Sequence, residues 1–144
     1  MALAEIAAGR VEKVVLVRHL DLPPDTTPPV ARVLSRLAQR FPSCTRFLVA
    51  AGGSEFFGAS PETLVRLDGL TVTTQALAGS ATLAAATELL RSDKDRREHE
   101  IVVAALVGAL RPLCTAIVHT PVPEVRRLAN VAHLTTPIEA TLAA

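Results

Sequence analysis

Tryptophan and tyrosine are absent from this chain, and only four phenylalanines stand among its 144 residues. With a formal net charge of +1, it carries neither the basic stripe nor the aromatic footprint of a nucleic-acid binder. Cysteine is scarce as well. Cys44 and Cys114 make no disulfide scaffold and have no metal-ligand spacing, so they read as reduced core thiols of a cytoplasmic protein. No G-x-G-x-x-G or P-loop pattern occurs, and the Gly52-Gly53 pair alone is no phosphate cradle. Long apolar runs are missing too. Glu5 and Arg10 interrupt the N-terminal one, so no signal peptide is expected. Ile101 to Leu110 is too short to cross a bilayer.

What is present suits one globular domain. Hydrophobic residues make up 49% of the chain, enough to bury a core and too many for disorder. Internal repeats, low-complexity segments and an interior domain boundary are not seen.

Taken in order, Met1 to Ala8 reads as an alanine-rich helix closed by Gly9. The β-branched run Val11 to Leu20 reads as a strand, with Lys13 on one face beside Val15 and Val17. Were that face buried, Lys13 would sit at the edge of the core; otherwise it ends a strand and points to water. Arg18 is expected to be a structural ion-pair partner. Asp21 to Pro29, with four prolines, is a loop, and Val30 to Phe41 an amphipathic helix. Phe47 to Ala51 and Glu55 to Phe57 form a hairpin across Gly52-Gly53. A second hairpin joins Leu64–Leu67 to Leu70–Leu77 across Asp68-Gly69. Ala78-Gly79-Ser80 ends that strand, on sequence alone an ordinary strand-end turn. Ala81 to Leu90 is a helix former, and Ser92 with Asp95 forms a capping box for a helix running to Leu110. Beyond Ile101 that helix is apolar nearly all round, which predicts burial. Thr115 to His119 is a strand and Arg126 to Thr135 a further extended stretch.

The chain is organised around Phe56-Phe57-Gly58-Ala59-Ser60-Pro61-Glu62-Thr63-Leu64. The aromatics read as the end of a buried strand, and Gly58-Ala59 allow close backbone approach. Ser60 reads as an N-cap, Pro61 as the first helical residue and Glu62 as a first-turn carboxylate. Glu62 either complements the helix dipole or is a carboxylate held at a fixed point for chemistry. Glu98 shares a helical stripe with Val102, Ala105 and Ala109. Its partner is either a cation or a basic side chain such as Arg96 or Arg97. His133 fits a satisfied core histidine or a pocket residue; His19 and His119 read as structural.

The Phe56–Leu64 stretch resembles the GASPE motif of the chorismate-utilising enzymes. Further motifs follow in that family's order: Lys13-Val14-Val15-Leu16-Val17-Arg18, Leu77-Ala78-Gly79-Ser80, Lys94-Asp95-Arg96-Arg97-Glu98-His99 and His133-Leu134-Thr135-Thr136-Pro137. The resemblance implies an α+β fold, a largely antiparallel sheet with packed helices. Residues 1–144 would be part of a chorismate-binding catalytic domain.

The likeness is closest to the isochorismate-forming branch. It implies that Lys13 is the base on an attacking water and Glu62 the acid on the departing hydroxyl. A lysine is informative here, because the ammonia-using relatives typically carry glutamine. Glu98 matches a Mg²⁺ ligand, and Ala78, Gly79, Ser80 and His133 match positions that hold the substrate, chorismate. The implied cofactor is Mg²⁺; no nucleic acid and no membrane is expected as partner. The expected activity is an isochorismate synthase feeding menaquinone or siderophore synthesis. Salicylate synthase is the alternative, or a non-catalytic remnant that binds partners. The 144-residue chain alone is expected to be inactive, because further metal carboxylates in the family lie beyond the matched stretch. Its exposed sheet edges invite self-association.

Overall fold

The computed structural model describes residues 2–20 and 29–143. A short helix α1 (Ala2–Ala7) ends where Gly9 takes a positive φ of 68°. After it, residues 11–20 pair with no strand among the described residues. The strand expected there is therefore corrected. β-branched residues favour a strand only when a neighbour supplies the ladder and packs their side chains. Here Val15 is 71% and Val17 90% exposed, so Lys13 does not share a buried face with them. The loop expected over 21–29 lies outside the described residues, except for Pro29. Helix α2 (Val30–Arg40) forms as expected, turning Val33, Leu34 and Leu37 toward its neighbours.

Strands β1 (Thr45–Ala51) and β2 (Ser54–Ser60) make a two-stranded antiparallel sheet, turning at Gly52 and Gly53. Phe56, expected to be buried, is 70% exposed. Gly58 faces Phe47 across the pair, and a Cβ there would meet the Phe47 ring at 3.0 Å. That contact is the close approach the glycine permits. Residues 61–65 form no helix, which corrects the capped helix expected from Ser60. They run straight into β3 (Arg66–Asp68), too short a span to offset helix nucleation.

The main sheet is antiparallel throughout, in the order β3, β4 (Thr71–Ala81), β7 (Ala132–Leu142), β5 (Cys114–His119), with β6 (Glu124–Arg127) also on β7. The extended stretch expected over 126–135 is thus two strands, parted by a turn closed from Leu128 N–H to the Val131 carbonyl. Period two sorts the sheet's faces. Ala132, Leu134, Thr136, Ile138 and Ala140 of β7 are buried with Val72, Ala76 and Ala78 of β4. His133 and Pro137 stand on the other face. The helix expected over 81–90 is instead a 3₁₀ turn, Ala86–Arg91, because Ala81 still pairs with Ala132 at the end of β4.

Helix α3 (Asp93–Leu110) starts where the Ser92 hydroxyl accepts from Asp95 N–H at 3.2 Å, the cap the sequence predicts. It covers the core face of the sheet on one side only. Its sole buried residue among those described is His99, and its apolar second half is merely half-buried, contrary to expectation. No helix among the described residues is long and apolar enough to cross a membrane.

His99, 1% exposed, bonds through Nε2 to Thr136 Oγ1 at 2.8 Å and ties α3 to β7. Burial holds its pKa below the ordinary histidine value, opposed by a bond to the Ala78 backbone and the charge of Glu100. A depressed histidine contributes stability above its unfolded value of about 6.5, and that contribution is lost as the pH falls below it. We expect chemical denaturation between pH 7 and 5 to show the parent losing stability faster than His99→Gln. The gap between the two should widen as the pH falls below about 6.5. Parallel curves would show that His99 does not stay neutral.

Candidate active site

Every site residue expected from the sequence lines one cavity of about 330 Å³: Lys13, Glu62, Ala78, Gly79, Ser80, Glu98 and His133, joined only by Pro61 and Leu77. Elements far apart in sequence deliver them. Lys13 comes from the unpaired N-terminal segment and Glu62 from the β2–β3 connection. Ala78 to Ser80 belong to β4, Glu98 to α3 and His133 to β7. A larger groove of about 800 Å³ runs along α3, lined by residues such as Glu12, Arg96 and Arg97, but holds none of these groups.

A β-bulge sets the geometry at the centre. Ala78 pairs with Leu134, yet the next pair is Ser80 with His133, so Gly79 is the extra residue. The expected strand-end turn is thus a bulge inside β4. Without it Gly79 would face His133 and Ser80 would point to the opposite side of the sheet. With it, Ser80 Oγ comes 2.8 Å from His133 Nδ1, and the Gly79 carbonyl lies 3.3 Å from the same nitrogen. A carbonyl can only accept, so the tautomer with Nδ1 protonated satisfies both contacts. It donates to the Gly79 carbonyl and the Ser80 hydroxyl oxygen, and leaves the Ser80 proton free for another acceptor. His133 is only half-buried, on the face of the sheet away from the core.

Gly79 has φ 73°, and a Cβ there would stand 3.3 Å from Asp95 Cβ and 3.6 Å from a Leu134 methyl. Strand and helix N-terminus meet closely here, and the positive φ favours glycine. Gly79→Ala should destabilise the protein by about 1–2 kcal/mol from backbone conformation alone. Urea denaturation with an unchanged midpoint would show that the bulge accommodates the methyl.

Glu62 is exposed, and its backbone is held: its N–H donates to Ser60 Oγ at 3.2 Å. The serine expected to cap a helix instead closes a local side-chain turn. Glu98 carries two ammonium groups, Lys13 Nζ at 3.2 Å on Oε1 and Lys94 Nζ at 3.6 Å on Oε2. The basic partners are thus these lysines rather than Arg96 or Arg97. Lys94 also bonds Asp95 at 3.2 Å, and that bond chiefly raises its pKa. The Asp95 pKa is lowered, first by the Ser92 side chain and then by Lys94.

The family model for chorismate binding enzymes matches residues 1–144. The chain belongs to the chorismate-binding enzyme family. It is 37% identical over 150 residues to the salicylate biosynthesis isochorismate synthase of Pseudomonas aeruginosa, a match covering 99% of this chain and 31% of that protein. With isochorismate synthase EntC of Escherichia coli K12 it shares 37% identity over 148 residues, 96% of this chain and 38% of EntC. Among solved structures it resembles the 2,3-dihydroxybenzoate-specific isochorismate synthase DhbC of Bacillus anthracis. There the TM-score is 0.77 at 31% identity, covering 83% of this chain and 35% of that one. Anthranilate synthase component I of Streptococcus pneumoniae TIGR4 follows with a TM-score of 0.69 at 27% identity, over 83% of this chain and 28% of that one. The chain spans about a third of the length of the curated relatives it matches.

The tertiary bonds of two residues of this family member were not legible in its sequence. His99 stands next to Glu98 and sits on a helical line with Val102, Val103 and Leu106, a signal that it faces the core. Arg126 gave no signal, because its partners lie 51 and 65 residues away along the chain.

Proposed function

We propose that this chain carries the acid–base machinery of an isochorismate synthase, moving a hydroxyl from one ring carbon of chorismate to another. The observation that carries the reading is the single cavity shared by Lys13, Glu62, the Gly79 bulge, Glu98 and His133. Lys13, as the neutral amine freed from its ion pair with Glu98, takes a proton from water as that oxygen bonds to the ring. Glu62 gives a proton to the hydroxyl whose carbon–oxygen bond breaks. Water enters and water leaves, so the product is an isomer, and proton exchange with solvent resets both groups. Ser80, with its hydroxyl proton free, and the backbone of the bulge orient a substrate carboxylate. His133 holds Ser80 in place.

The residues present fit Mg²⁺ of a particular kind. Among the described residues no cluster of three or more His, Cys, Asp or Glu gathers. Glu98 is a hard oxygen donor in an open cavity, suited to an ion that keeps waters and takes its remaining ligands from substrate. When bound, Mg²⁺ supplies positive charge against a chorismate carboxylate.

The test is product analysis with chorismate and Mg²⁺, using the protein as its own gene encodes it. Isochorismate supports the reading. Salicylate with pyruvate would move it to a salicylate synthase, and no conversion would leave a binding module. Residues 1–144 alone should convert nothing, since one carboxylate with two lysines on it holds the ion weakly.

A further inference from the structure

We propose that Arg126 is the positioning residue for Glu62: from β6 it clamps the connection that carries the carboxylate, without entering the cavity. The inference rests on the acid role given to Glu62 above. Arg126 is paired with His133 across β6 and β7, so its side chain leaves the sheet on the same face as His133. Its guanidinium then crosses β7 to β4. Nη1 donates to Gln75 Oε1 at 2.7 Å, and Nη2 reaches the Pro61 carbonyl at 3.4 Å. Gln75 stands opposite Pro137 on that same face.

The Pro61 carbonyl belongs to the peptide bond that begins Glu62. On the other side of that bond, Glu62 N–H is bonded to Ser60 Oγ at 3.2 Å. One peptide unit is thus gripped at its oxygen from β6 and at its nitrogen from the end of β2. The connection has no helical or strand ladder of its own; besides these two bonds it is held further on, where Thr74 Oγ1 donates to the Leu64 carbonyl at 2.7 Å. A planar fork spanning two acceptors suits arginine and not lysine, whose ammonium is a point donor. Arg126 lines a separate cavity of about 310 Å³ with Thr63, Arg66 and Gln75, which shares no lining residue with the candidate active site. It therefore acts on the reaction through Glu62 and not by touching substrate.

The experiment compares the parent with Arg126→Ala, Arg126→Lys and Gln75→Leu, reading steady-state kinetics and amide hydrogen exchange over residues 60–64. Arg126→Ala should speed exchange in that peptide about tenfold, the loss of a charge-assisted bond. It should lower kcat by up to about a hundredfold, as a misplacement of about 1 Å can, with the KM for chorismate little changed. Arg126→Lys should not restore kcat, and Gln75→Leu, which frees the fork at one end, should shift exchange in the same direction by less. Unchanged exchange and unchanged kcat in Arg126→Ala would overturn the proposal. If Arg126→Ala does not fold, the sign of the Gln75→Leu exchange decides. A parent without turnover whose 60–64 peptide still loosens on substitution would sink the isochorismate reading and leave the clamp standing.

Discussion

Lys13→Gln should all but stop the formation of isochorismate from chorismate and should leave the fold in place. The expectation follows from where Lys13 sits. Among the described residues its segment contributes no ladder hydrogen bonds to a sheet, so a side-chain change there should not cost strand pairing. The side chains of its ion pair with Glu98 are 25% and 31% exposed, so solvent screens the pair in part. An amide has no basic nitrogen to take the proton of an attacking water, so the general-base contribution of about 10²–10⁴-fold is lost. The same substitution removes an ammonium that competes with Mg²⁺ for Glu98, so the ion should bind at least as tightly as in the parent. A coupled assay, a thermal melt and calorimetric Mg²⁺ titration read the three consequences. Turnover within tenfold of the parent would remove Lys13 from the chemistry.

That outcome bears on what could be read from the chain. The hairpins at Gly52-Gly53 and Asp68-Gly69 were legible because turn chemistry is local, as was the Ser92 cap of α3. The shared cavity was legible only through motif order, since no periodicity brings residue 13 next to residue 98. Where the reading failed, a tertiary term overrode a local one. Val11 to Leu20 has the composition of a strand, but no described strand lies beside it to form a ladder. Ser60-Pro61-Glu62 has the residues of a helix start, but the chain is taken up at once by β3. The tripeptide 78–80 was expected to end a strand, yet β4 continues to Ala81 with Gly79 as a bulge. Period two cannot announce such a bulge, because the extra residue is defined by the partner strand. The second half of α3 was expected to be buried because it is apolar on all sides. Packing against one sheet buries only one side of a helix.

Glu62 and Glu98 line the same cavity, and exchanging each for glutamine should separate acid from metal ligand. Glu62 has no ion pair or side-chain hydrogen bond recorded among the described residues, and the backbone on either side of it is gripped. Its carboxyl is thus placed but not occupied, as a group that must give up a proton to substrate requires. Glu62→Gln cannot give that proton and should lose turnover by about 10²–10⁴-fold, with Mg²⁺ affinity unchanged. Glu98 is the reverse case. Both of its oxygens already face cationic groups, Lys13 at 3.2 Å and Lys94 at 3.6 Å. The site that attracts ammonium in this structure is the one that would attract a divalent ion. Glu98→Gln removes the charge and one hard oxygen, so Mg²⁺ binding should weaken on the order of tenfold or more. It also unpairs Lys13, so turnover should fall even at saturating Mg²⁺ if Glu98 positions the base. Calorimetry settles the assignment. If both variants bind Mg²⁺ like the parent, Glu98 is not the ligand; if Glu62→Gln alone loses the ion, the two roles are exchanged.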